Sequence, residues 1–146
     1  RLFQEIREKR GLAYSVYSFN QGYSDGAYFG LYAGCSPAKT TEVTRLMLEE
    51  FGKLANDGIT VDELALAKGN INGGMALKFE STQARMSRLV GTELIAGEFL
   101  DLDATIEAFD AVTAEDVRLL AADLLGRERS IVAVGDVVES AFDEFL

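Results

Sequence analysis

The chain has 146 residues, one cysteine, no histidine, and 14 Lys plus Arg against 24 Asp plus Glu, a formal net charge of −10. Its length suits one domain with a real core, and its negative surface repels phosphate backbones and anionic membranes, which argues against nucleic-acid and membrane partners. The absence of histidine excludes Ser-His and Cys-His catalysis and His-ligated zinc, and a single cysteine excludes Cys-rich zinc; a hard cation held by carboxylates is left open, though no EF-hand spacing is present, and no catalytic residue or metal ligand is singled out in these residues.

Residues 2–10 read as the end of a helix, with Leu2, Phe3 and Ile6 able to share one face. The cations Arg7, Lys9 and Arg10 followed by Gly11 are the expected helix stop. A helix already under way at residue 1 implies an element ahead of it. Residues 13–20 and 27–35 read as strands of a hairpin, with Asp25-Gly26 as the turn signal. In the second strand Ala27, Phe29, Leu31, Ala33 and Cys35 form an apolar face, and Tyr28, Gly30, Tyr32 and Gly34 form the other. Glycines between tyrosines leave little bulk on that second face. A helix packed closely there is the favoured expectation, and a surface left open for a passing backbone is the sharper one. Cys35 reads as a buried thiol, suited to a reducing compartment.

Pro37 should open a helix carrying Val43, Leu46, Met47, Phe51 and Leu54, which Asn56, Asp57 and Gly58 end. Thr60 and Glu63 form a capping-box signal for a helix striped by Leu64, Ala67, Ile71 and Met75. Gly69, Gly73 and Gly74 inside it point to close packing or a bend. After a break near Glu80-Ser81, Met86, Leu89, Val90 and Leu94 share one face of a helix stopped by Gly97. A short helix over 101–109 and a Thr113-capped helix carrying Val117, Leu120 and Leu124 follow. Residues 130–136, SIVAVGD, read as a central strand covered on both faces. The order predicts an α+β fold: a mostly antiparallel sheet with helices packed on one face, lacking one or more N-terminal elements of the parent domain.

Three segments carry a resemblance. LFQEIREKRGLAYSVYS at the start is the most specific. The helix start Gly58, Thr60, Glu63, Leu64, Ala67, Lys68 and the closing VAVGD are less so. Together they cover nearly the whole chain. They resemble the C-terminal half of the pitrilysin-type zinc metallopeptidases, the inverzincins, whose other half carries H-x-x-E-H. The look is that of bacterial processing-protease-like members similar to mitochondrial processing peptidase.

The resemblance implies a single C-terminal, non-zinc domain over residues 1–146, within a peptidase that cleaves peptides in a closed chamber by zinc-activated water. Members carry an Arg and a Tyr seven residues apart around the glycine, here Arg7 and Tyr14. These would bind the substrate backbone and stabilise the tetrahedral intermediate, since guanidinium and phenol both donate hydrogen bonds to oxygen. Pattern alone would make the pair ordinary helix-and-strand punctuation. The chain departs from the family in having no zinc motif. Zinc is therefore expected in the parent, on an N-terminal domain of the same chain or on a partner subunit of a homo- or heterodimer. The alternative is a non-catalytic assembly module or partner subunit. The free cysteine and the lack of a visible signal peptide point to the cytoplasm.

Overall fold

Gly11 decides how the chain leaves its first helical turn. The computed structural model describes residues 1–96 and 101–146. In it, Phe3–Glu8 form a π-helical turn, and Gly11 follows at φ +61°, a conformation that favours glycine. The Gly11 and Leu12 N–H groups donate back to the carbonyls of Arg7 (2.9 Å) and Ile6 (3.0 Å), so the last turn is satisfied as the chain reverses. The reversal feeds an antiparallel hairpin of β1 (Ala13–Gly22) and β2 (Ala27–Cys35). Its loop is closed by Tyr23 N–H donating to Gly26 O at 2.7 Å.

The pairing is regular from Gly22↔Ala27 to Ser15↔Gly34, then shifts so that Ala13 faces Cys35. Tyr14 is the extra residue at this bulge. A bulge residue leaves the ladder and is re-aimed, and Tyr14 is 85% exposed.

Pro37 starts a short 3-10 turn, Pro37–Lys39, that runs into α1 (Thr40–Asp57). Gly58 at φ +73° marks its end. One face of the hairpin packs on this helix. Ile6, Ala13, Val16 and Val43 are the buried cluster, with Leu46, Met47 and Cys35 packed against it. Burial pushes the Cys35 thiol up from its ordinary pKa. Farther along, the Phe29 and Phe51 rings stack at 5.4 Å. The 3-10 segment Glu139–Phe145 buries Phe142 and Phe145, and Arg45 of α1 reaches Glu144 at 3.1 Å.

Contacts divide the described residues into two compact units. One holds Arg1–Gly22, Ala27–Asp57 and Arg118–Leu146, and the other holds Tyr23–Gly26 and Gly58–Val117. In the second, α2 (Val61–Lys78) opens on the expected capping box. Thr60 Oγ accepts from Glu63 N–H (3.1 Å) while the Glu63 carboxylate accepts from Thr60 N–H (2.8 Å). Ser81 caps α3 (Thr82–Gly91), which continues as a π-helical turn, Thr92–Ala96. Asp101 caps α4 (Leu102–Ala111). Lys68 ties α2 to the Asp110 carbonyl at 2.6 Å, and Arg88 ties α3 to Thr105 Oγ at 2.6 Å. Thr113 caps α5 (Ala114–Leu125), whose residues from Arg118 onward count with the first unit, by accepting from Asp116 N–H at 3.1 Å. The expected stop at Gly97 lies outside the described residues.

The fold is α+β: an antiparallel strand pair with helices, α1 lying on one of its faces. Two expectations are corrected. Residues 130–136 have no regular structure, and Val132 and Val134 are 89% and 97% exposed. A strand exists only when a neighbour takes its N–H and C=O groups, and among the described residues the only sheet is the β1–β2 pair. A Cβ at Gly69, Gly73 or Gly74 would meet nothing within 4 Å, so close packing does not explain these glycines. Met86, Leu89, Val90 and Leu94 on α3 and the turn after it are exposed.

Candidate functional site

The basic run before Gly11 divides into two uses. Lys9 Nζ and Arg10 Nη1 both contact the Glu5 carboxylate, at 2.5 and 2.9 Å. The Lys9 hydrogen bond, then that of Arg10, hold the Glu5 carboxyl below the usual carboxylate range. These two cations are spent on the helix end. Arg7 is not. Its guanidinium lies 4.8 Å from the Phe3 ring centroid and 5.5 Å from that of Tyr14. Phe3 is one helical turn back on the same side, the spacing at which side chains meet. Such cation–ring contacts orient a guanidinium without consuming its N–H donors. Among the described residues Arg7 makes no side-chain hydrogen bond or ion pair, and the Tyr14 hydroxyl has no protein partner.

The two elements that sequence reasoning named therefore do bring Arg7 and Tyr14 together. The glycine turn folds the strand back beside the helix, and the bulge turns Tyr14 out toward Arg7. Phe3 was missed as part of this arrangement, although its i, i+4 spacing to Arg7 was there to read. Tyr14 also opens onto a shallow groove floored by Gly11, Leu12, Ser15, Tyr32 and Gly34.

On the hairpin face away from α1, neither a helix nor a passing backbone among the described residues covers the glycines. Side chains of the hairpin do. The Phe19 ring lies across Gly30, where a Cβ would come within 2.4 Å of Phe19 Cζ. Tyr17 stacks on Tyr32 at 4.9 Å, and Phe19 meets Tyr28 edge-on at 6.0 Å.

No part of this arrangement can hold zinc. The chain has no histidine and one cysteine, and among the described residues no three His, Cys, Asp or Glu side chains group as metal ligands would. No helix among the described residues is long and apolar enough to cross a membrane.

The comparisons with known proteins agree with the resemblance to the C-terminal domain of the pitrilysin-type metallopeptidases. The Peptidase M16 inactive domain family matches residues 1–71, just under half of the chain. The chain is 44% identical over 135 residues to an uncharacterized zinc protease of Streptomyces coelicolor, covering 92% of this chain and 29% of that protein. The chain thus spans under a third of the length of that curated relative. Its fold is shared with a chain of complex III2 from Candida albicans (TM-score 0.71, 23% identity, 81% of this chain and 28% of that one). The periplasmic protease PqqL of Escherichia coli is similar in the same way (TM-score 0.63, 22% identity, 84% and 14%).

Proposed function

We propose that residues 1–146 form one C-terminal domain that holds the substrate of a zinc metalloendopeptidase cleaving peptides in a closed chamber. The observation that carries this reading is the Arg7–Tyr14 pair: a guanidinium 5.5 Å from a phenol ring, both exposed, with donors the domain itself does not use. Arg7 and Tyr14 donate to carbonyl oxygens of an extended peptide. The same donors meet the negative charge that develops on the attacked carbonyl oxygen. Both sit at the ends of ordered elements, so their geometry is set before substrate arrives. The zinc protease name of the Streptomyces relative supports zinc in the parent. Zinc and the general base then come from outside these residues, on an N-terminal domain or a partner subunit. A dimer, a processing role and the cytoplasm belong to the same proposal.

A second reading, a non-catalytic assembly module, is favoured by the likeness to a complex III chain. The reading frame upstream and the neighbouring frame decide between them. H-x-x-E-H in either supports the peptidase, and its absence from both supports the module.

A further inference from the structure

The uncovered face of the hairpin is built, not merely left over. Alternate positions from Ser15 to Gln21 and from Tyr28 to Gly34 share it, and none is charged. Its rings form a continuous run: Tyr32 stacks on Tyr17 (4.9 Å), Tyr17 meets Phe19 (6.3 Å), and Phe19 meets Tyr28 (6.0 Å). Gly30 lets the Phe19 ring lie down on the sheet, a known use of glycine opposite an aromatic. The Tyr32 hydroxyl lies 3.6 Å from where a Gly34 Cβ would be. The result is a low floor of rings that stay about half exposed, at 40–52%. The floor runs into the groove that Tyr14 opens onto, with Tyr32 common to both.

We infer that this aromatic floor selects the substrate: an extended peptide with aromatic or large apolar side chains at alternate positions. Its occupant is argued from continuity, since a peptide held at Arg7 and Tyr14 continues across Tyr32 and Tyr17. An extended peptide sends every second side chain to one face, and rings present flat, uncharged surfaces to such side chains. The inference rests on the reading of Arg7 and Tyr14 as the backbone clamp.

The test is equilibrium binding to the full-length protein, treated with EDTA so that bound peptide is not turned over. Two labelled, uncharged ten-residue peptides are compared by fluorescence anisotropy, one with Phe and one with Ala at alternate positions. The Phe peptide should bind about tenfold more tightly, the scale of one to two aromatic contacts. Tyr17→Ala and Tyr32→Ala should reduce that preference to about twofold or less. Gly30→Ala keeps every ring but lifts Phe19 off the sheet, and it should erode the preference with the fold intact. Arg7→Ala should weaken both peptides alike and leave the preference unchanged. Equal binding of the two peptides, binding of neither, or a preference that survives the ring variants and Gly30→Ala would overturn the inference. If the preference behaves as stated but Arg7→Ala and Tyr14→Phe affect neither peptide, the clamp reading fails alone.

Discussion

The Phe29 ring of β2 stacks on Phe51 of α1, centroids 5.4 Å apart and planes 25° from parallel. That contact fixes which face of the hairpin meets the helix, and so which face stays open. Phe29 is nevertheless 38% exposed. Phe29→Ala should therefore cost about 2 kcal/mol, below the ~3–5 kcal/mol of a fully buried Phe. Urea unfolding of the full-length protein and the variant checks this. A loss under about 0.5 kcal/mol would mean that the stack does not hold the hairpin to the helix.

At Gly11 the cost should be conformational alone, because φ is +61° and a Cβ would meet nothing within 4 Å. Gly11→Ala should destabilise by about 1 kcal/mol, and Gly11→Asn by less, since Asn tolerates this region better. Equal stability of all three proteins in urea would show that the turn is not held at this dihedral angle.

Acid should loosen the start of α5. Hydrogen bonds from Thr113, side chain first and then backbone, hold the Asp116 carboxyl below its ordinary range. A depressed folded pKa stabilises fully above the unfolded value near ~4 and is lost as pH falls through the folded one. Amide hydrogen exchange at residues 114–117 should therefore quicken, relative to the intrinsic rate, as pH drops below about 4. Asp116→Asn should remove that pH dependence. Unchanged protection down to pH 2.5 in the parent protein would contradict the cap's contribution.

The local signals were legible because their hydrogen bonds close within a few residues. Gly11, Pro37, Thr60 with Glu63, and Thr113 each satisfy or start a helix end with neighbours in sequence, and each element begins or ends where they place it. Residues 130–136 failed for the opposite reason, since an apolar run does not carry the partner that would make it a strand. The Tyr-Gly alternation of β2 showed a face without bulk, but the cover came from β1. Register supplies that information: the four-residue loop pairs Gly22 with Ala27, and counting back from there puts Phe19 opposite Gly30. For Arg7 and Tyr14, their spacing alone did not place the two side chains together. A π-helical turn, a glycine reversal and a bulge do so jointly; the helix end and the glycine leave a sequence mark, and the bulge leaves none.

Peptide turnover by the full-length protein tests the central claim most directly. Steady-state kinetics on a fluorogenic peptide should be measured for the parent enzyme, Arg7→Ala, Tyr14→Phe and the double variant, with melting temperatures alongside. In the proposed mechanism each single change removes one donor to a developing oxyanion, and it should lower kcat about 10²–10³-fold with the melting temperature unchanged. Because both donors act on one substrate, the double variant should lose less than the product of the singles. Unaltered turnover with an intact fold, or activity that falls only in step with folded protein, would contradict the account and leave the pair as the punctuation between a helix and a strand.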